Sequence, residues 1–300
     1  MKKFKTRILL FSSLLALTLS SLAYASMYPE VVFPVPADND VIHSLGHASQ
    51  KSLPNGRIKF LVWNLHKGSD DTFDAEYPVL ARDRDIVMNQ EMFLDKNMTT
   101  VWHFLPNFLF TTATSFFDGK EKIRTGVANI SSVAPSSSEF LRTKILEPVV
   151  HSPKVVLISS YPIKDSNKKL TLVNIHGINF VSNKSFELEL ERIYEKIKDL
   201  PAPLVFAGDF NTWNDYRLDL LAQYAKKLGL SEAKFIPDDR LRFNGRPLDH
   251  FLFTNDIKII SARVDKIFNG SDHKPLQVEV EYSPTTNNGD QSNQDSLAQK

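Results

Sequence analysis

The ten residues Phe206 to Asp215, FAGDFNTWND, run from an apolar stretch into two carboxylates and two amides around a single glycine. Asp209 and Asn211 cannot stay buried without partners. Gly, Asp and Asn are also ordinary turn formers, so a well-made loop accounts for the stretch as readily as a polar cluster aimed at a phosphate or a metal. The same kind of ending recurs along the chain. KFLVWN stops at Asn64, DIVMNQE at Glu91 and LTLVNIH at His176, while IFNGSDH delivers Asp272 and His273. Any one of these is an unremarkable strand end, solvated acid or packed histidine. Together they supply what a metal-assisted phosphoesterase needs. Glu91 offers a hard oxygen ligand for Mg²⁺, which keeps several of its waters. Asp209, Asn211, His176 and His273 offer a base for the attacking water and donors for the charge that builds on phosphoryl oxygens. The sequence has no G-x-S-x-G elbow, no G-x-x-x-x-G-K-[ST] loop and no H-E-x-x-H pair.

Such groups need strands to carry them. Short apolar runs read as strands: IKFLVWNL, DIVMNQE, TGVANIS, VVLISSY, LTLVNIH, LVFAG, DHFLFT, IKIISARV and PLQVEVEY. Helical spacing appears over Ser185 to Leu200, with Phe186, Leu190, Ile193, Ile197 and Leu200 on one face behind a Ser185 cap, and over Asp215 to Leu228, with Leu218, Leu221, Ala222 and Ala225. So much sheet with so few amphipathic helices predicts an α/β (α+β) domain, two packed sheets flanked by helices.

In this order and spacing, WNLHKG, DIVMNQE, VNIHGINF, AGDFNTW, RPLDHFLF and GSDHKPL resemble the endonuclease/exonuclease/phosphatase (DNase I-like) superfamily, and within it a bacterial subgroup. The resemblance spans about Ile58 to Glu281 and implies a four-layer α/β/β/α sandwich of two mixed sheets. It implies Mg²⁺ or Mn²⁺ held chiefly by Glu91, with Asn64 and Asp272 on the metal side and Asn64, Asn211 and His176 on the phosphate. Asp209 and Asn211 correspond to the pair that orients the water, and His273 to the catalytic histidine held by Asp249. His176 corresponds to the second histidine, with Glu147 in LEP as its holding acid. The acid-Cys-Arg motif of inositol phosphatases is absent, as is a membrane-inserting tryptophan loop. Trp102, Phe104, Phe108, Phe110, Phe116 and Phe117 make an aromatic region read as core and hydrophobic loop. Lys67, Arg124, Arg142, Lys144, Arg242 and Arg246 are candidate contacts for substrate phosphates.

Met1 to Ser26 combines a Lys-rich start, a short apolar run broken by serines and Ala23-Tyr24-Ala25, the pattern of a signal peptide over 1–25. Residues 26–56 hold four prolines and read as an extended arm, 57–282 as the domain, and the polar stretch 283–300 as a disordered tail. Removing residues 1–25 takes four of the 36 basic side chains and none of the 35 acidic ones, so the net charge moves from +1 to −3. That balance does not advertise nucleic acid. The absence of cysteine excludes disulfides, a thiol nucleophile and thiolate ligands. The expectation is an exported, periplasmic or secreted monomer without a lasting membrane anchor, acting on phosphodiesters, with nucleic acid ahead of phospholipid. Alternatives are a sphingomyelinase-like lipid phosphodiesterase, a phosphatase, and a binding or toxin-subunit protein that keeps the fold with weak turnover.

Overall fold

A computed structural model of the chain describes residues 33–148 and 151–282. The expected signal peptide, the first residues of the arm and the polar tail lie outside the described residues. Two mixed sheets face each other. The first has the order β1 (Ile42–Gly46), β4 (Leu109–Asp118), β5 (Ile123–Ser131), β3 (Ile86–Phe93), β2 (Arg57–Asn64), β15 (Leu276–Tyr282) and β14 (Ile257–Val264). The second has the order β10 (Leu230–Glu232), β13 (Asp249–Thr254), β9 (Leu204–Asp209), β8 (Lys169–His176), β7 (Val155–Pro162) and β6 (Ser137–Arg142). A two-stranded ribbon joins β11 (Arg242–Phe243) to β12 (Arg246–Pro247). Helices α1 (Phe73–Ala81) and α2 (Lys96–Trp102) cover the first sheet, and α3 (Asn183–Ile197) and α4 (Asp215–Lys227) the second.

Each sheet contains one parallel pair, β2 with β3 and β8 with β9. Parallel strands cannot be joined by a hairpin, so each pair needs a crossover, and here α1 and α3 supply it. The carboxyl ends of the paired strands therefore carry Asn64 and Glu91 in one sheet, His176 and Asp209 in the other. The antiparallel neighbours β15 and β13 run the opposite way and begin where those strands end. That brings His273, just ahead of β15, and Asp249, opposite Asp209 in register, to the same edge of the sandwich.

Between the sheets, Phe60, Met88, Leu172, Val205 and Phe251 belong to one fully buried apolar cluster. Burying each such side chain contributes about 1.5–3 kcal/mol. Part of the interface is polar instead. Asn174 Nδ2 donates to the carbonyls of Asn89 (3.1 Å) and Ala128 (3.0 Å) and to Asn129 Oδ1 (3.0 Å), and Gln90 Nε2 donates to Asn174 Oδ1 (2.7 Å). These bonds are directional where apolar contacts are not, and they tie β3 and β5 of one sheet to β8 of the other.

Three expectations need correction. The described part of the expected arm, 33–56, does not lie outside the domain: β1 pairs with β4, and Asp40 and Asp38 bond Arg124 and Arg142. Helix α3 begins earlier, capped by Ser182, whose hydroxyl accepts the Ser185 N–H at 3.1 Å. The buried face of α4 is turned by one residue, to Arg217, Leu220, Leu221, Tyr224 and Ala225. The aromatic region largely forms β4 and its packing against α2, with Trp102 stacked on Phe110 at 4.4 Å and Phe104 left 64% exposed.

Candidate active site

Asp209 ends β9 and is almost fully buried. Its two oxygens are separately engaged. Oδ1 accepts the Asn211 N–H at 2.9 Å, which closes the turn, and Oδ2 accepts Asn64 Nδ2 at 3.0 Å across the sandwich. The same Oδ2 lies 3.7 Å from His176 Nε2 and 3.8 Å from His273 Nε2, so two imidazoles from different sheets face one carboxylate. The turn is tight because Gly208 sits at φ +139° with β8 pressed against it. A Cβ there would stand 2.1 Å from the Ile175 carbonyl oxygen, which no side chain tolerates.

His273 is held from behind. Its Nδ1 lies 2.8 Å from Asp249 Oδ2, so the Nδ1–H donates to the carboxylate and Nε2 is left to face Asp209. Its carbonyl accepts the Trp63 indole N–H (3.1 Å), and its backbone N–H donates to Ser271 Oγ (3.2 Å) and Asp272 Oδ1 (3.0 Å). Burial opposes a charged ring here, yet Asp249, with Asp209 and Asp272 beyond it, raises the His273 pKa well above its ordinary value. The second histidine behaves oppositely. Burial, with the Lys154 ammonium nearby, pulls His176 down to about 3, so its ring is neutral near pH 7.

Glu147 does not hold His176. Oε1 accepts the Asn179 N–H at 2.7 Å and Oε2 pairs with Lys154 Nζ at 3.2 Å, so both oxygens are committed elsewhere. Glu147 is buried and the Lys154 side chain is 13% exposed, and Lys154 is held above its ordinary pKa against burial by Glu147, Glu91 and Asp209. Lys154 is the cation that reaches the site, and nothing in KVVLISSY marks it, since a lysine before an apolar strand is commonplace. Of the basic residues expected to meet phosphate, five are spent on other acids: Lys67 on Asp118, Arg124 on Asp40, Arg142 on Asp38, Arg242 on Asp238 and Arg246 on Asp215. Lys144 offers its backbone N–H to Glu189.

Glu91 lies at a bulge of β3, with φ +51°, and its side chain is 28% exposed. Oε1 accepts Asn64 Nδ2 at 3.2 Å and is 3.7 Å from His176 Nε2. Among the described residues none donates to Oε2. Burial would favour the neutral acid, but its cationic neighbours and the Asn64 amide lower its pKa to about 2. With His176 neutral at pH 7, Lys154 and His273 carry that stabilisation there. An ionised, partly open carboxylate with a free oxygen fits a hard cation that keeps most of its water. Among the described residues no three His, Cys, Asp or Glu side chains gather into a cage. Asn64, expected on the metal side, bridges the two carboxylates through its amide. Its Oδ1 accepts the His66 N–H at 3.0 Å, which turns its amide donors to Glu91 and Asp209. Asp272 is half-exposed and 3.9 Å from His66 Nδ1.

Asn211, at φ +55°, donates Nδ2–H to the Gly177 carbonyl at 2.9 Å. Behind it the fully buried Arg217 donates to the carbonyls of Asn211 (3.0 Å), Ile178 (3.4 Å) and Val181 (2.8 Å), with its guanidinium 4.4 Å from the ring centroids of both Phe186 and Trp213. Its position among Leu220, Leu221 and Tyr224 is a sequence signal, since an arginine at helical spacing on an apolar face must spend its donors inside.

The sequence model described as the Endonuclease/Exonuclease/phosphatase family matches residues 61–273. A UPF0294 protein of Vibrio cholerae serotype O1 is 31% identical over 229 residues, covering 75% of this chain and 78% of the relative. Among solved structures, an endonuclease/exonuclease/phosphatase from Beutenbergia cavernae superposes with a TM-score of 0.61 at 14% identity, over 76% of this chain and 72% of its own. A mannosyl-6-phosphatase of Bacteroides thetaiotaomicron superposes with a TM-score of 0.52 at 16% identity, over 74% and 99%. At those identities the likeness concerns the fold, the two-sheet sandwich flanked by helices.

Proposed function

The chain belongs to the endonuclease/exonuclease/phosphatase family of phosphoesterase and nuclease-type hydrolases, and from that premise we propose that it is an exported, Mg²⁺- or Mn²⁺-dependent phosphodiesterase with nucleic acid as its first substrate class. The observation that carries the reading is the meeting of Asp209 Oδ2 with two imidazoles, one braced by Asp249 at 2.8 Å, beside the ionised Glu91. Glu91, with Asp272 to the side, would hold the cation, whose contribution when bound is to neutralise charge on the phosphoryl oxygens.

The protein side of the reaction falls to groups held in position by their neighbours. Burial raises the Asp209 carboxyl above the ordinary carboxylate range, towards the range of a useful base. Asp209 takes the proton of a water as its oxygen forms a bond to phosphorus, and the ester P–O bond opposite breaks. The His273 imidazolium, fixed by Asp249, directs Nε2–H at the phosphoryl oxygens and returns a proton to the departing alkoxide. Neutral His176, the Asn211 amide and the Lys154 ammonium donate to the remaining oxygens. These are fixed donors that need no rearrangement as charge develops.

The test is a screen of the purified chain on plasmid DNA, RNA, sphingomyelin and sugar phosphates, with and without EDTA. Metal-dependent nicking supports the nuclease reading. Release of choline phosphate alone moves the assignment to a lipid phosphodiesterase, and turnover of phosphomonoesters alone to a phosphatase. Inertness on all four, with metal present, leaves the binding role and overturns the enzyme.

A further inference from the structure

The five residues that leave His176, Gly177 to Val181, end at the Ser182 cap of α3 and carry an oddity. Phe180 has φ +54° and is 52% exposed. A bulky side chain in the left-handed region is strained, and an exposed phenyl ring forgoes the stabilisation that burial gives. A surface loop with no other constraint relaxes away from both.

This loop is prevented from relaxing by partners that belong to the site. Gly177 N–H donates to the Asp209 carbonyl (2.7 Å) and its carbonyl accepts from Asn211. Arg217 grips the carbonyls of Ile178 and Val181, one on each side of Phe180. Asn179 N–H is held by Glu147, itself paired with Lys154. Asn179 Oδ1 then accepts both the Phe180 N–H (2.8 Å) and the Trp213 indole N–H (3.0 Å), so one side-chain oxygen fixes the strained residue against the loop that carries Asn211. Trp213 in turn meets Phe243 edge-on at 6.3 Å. Strain that the surroundings over-determine at a candidate site is a sign of use.

We propose that Phe180 is a substrate-contact residue, a flat wall for a planar ring on the group esterified to the scissile phosphate, and that it selects base-bearing phosphate esters over those without a ring. The proposal rests on the phosphoesterase reading for the position of the phosphate and goes beyond it in naming what lies next to that phosphate. Stacking on an aromatic face tolerates any base, so it confers a class of substrate and not a sequence.

Phe180→Gly removes the ring and suits the left-handed backbone, so the variant is expected to melt at the same temperature as the wild type or higher. Calorimetry compares thymidine 5′-monophosphate with deoxyribose 5-phosphate, which lacks the base, on both proteins. The wild type is expected to prefer the nucleotide about tenfold, the scale of one base–aromatic stack, and Phe180→Gly to bind the two within twofold. Kinetics on a thymidine oligonucleotide and its abasic counterpart separate a nucleic-acid strand from a free nucleotide as the source of the ring. A preference that survives in Phe180→Gly overturns the proposal, as does equal loss for both ligands. So does a wild type whose turnover on sphingomyelin is the activity that Phe180→Gly abolishes. Because the binding comparison needs no turnover, a chain inert on every phosphodiester would sink the proposed reaction while leaving the ring contact separately measured.

Discussion

Arg217→Met takes a fully buried cation out of the scaffold behind Asn211, and the structure allows its cost to be worked out. Burial pulls the guanidinium from the ordinary arginine range down to about 10. At about 1.4 kcal/mol per pH unit, that corresponds to about 3 kcal/mol of desolvation that the variant recovers. Against it stand three hydrogen bonds from a charged donor to the carbonyls of Asn211, Ile178 and Val181, about 1.5–3 kcal/mol each, the one at 3.4 Å at the weak end. Two aromatic faces at 4.4 Å add about 0.5–2 kcal/mol each. Methionine offers no donor but fills much of the volume and keeps part of the contact with Phe186 and Trp213, so the expected net loss lies at the low end of these sums, about 2–4 kcal/mol. Urea denaturation should show it as a lower midpoint with an unchanged slope. Turnover should fall by more than binding, because the freed Asn211 and loop 177–181 reposition groups that act on the reacting phosphate. Arg217→Lys keeps the charge but not the planar fork, and should recover stability only in part. A variant within about 0.5 kcal/mol of the wild type with unchanged turnover would show that the three carbonyls do not need their donor, and the reasoning would fail.

Glu91→Gln keeps the shape and removes the charge, so activity should fall severely and the concentration of Mg²⁺ needed for half-activity should rise. Full activity at limiting metal refutes the assignment. Asp249→Asn leaves the fold intact and frees the His273 ring, with turnover expected to drop at least about a hundredfold and the pH–rate profile to change shape. An unaltered profile would remove Asp249 from the mechanism. Lys154→Met should lower turnover by about a hundredfold or more, the scale of one lost oxyanion donor. Its stability deficit is also pH-dependent: the folded pKa of Lys154 is raised, so the stabilisation is fully present below the unfolded value near 10.4 and is lost as pH rises through the folded value. Denaturation curves for wild type and Lys154→Met should therefore converge only in strong alkali, and convergence near neutrality would contradict the buried pairing. Gly208→Ala should prevent the close approach of β8 to β9 and yield little folded protein, and a native melting temperature for that variant would refute the steric reading.

Strand-end chemistry was legible because short, nearly continuous apolar runs stop abruptly on Asn64, Glu91, His176 and Asp209. The layered architecture followed from the same runs. What escaped is which side chains meet in space. Lys154 carries no local pattern, and its role exists only because Glu147 turned away from His176 to pair with it. Burial disfavours the charged ring of both histidines, and their opposite pKa directions are set by the charge beside each, Lys154 at the start of the neighbouring strand β7 for His176 and Asp249 from the facing sheet for His273. Strand β4 was hidden because FTTATSFFD buries threonines on both faces and shows no alternation. The buried face of α4 departs by one residue from the apolar pattern because Arg217, a charged side chain, is one of its interior positions.

Strand β15 lies in the interior of the first sheet, between β2 and β14, although it is the last strand among the described residues. Until it arrives, β2 has an open edge and His273 has no place opposite Asp209. A ribosome working from the amino terminus thus builds the whole second sheet, and most of the first, before the histidine can be seated. The site of the growing polypeptide therefore stays incomplete until the hairpin of β14 and β15 closes.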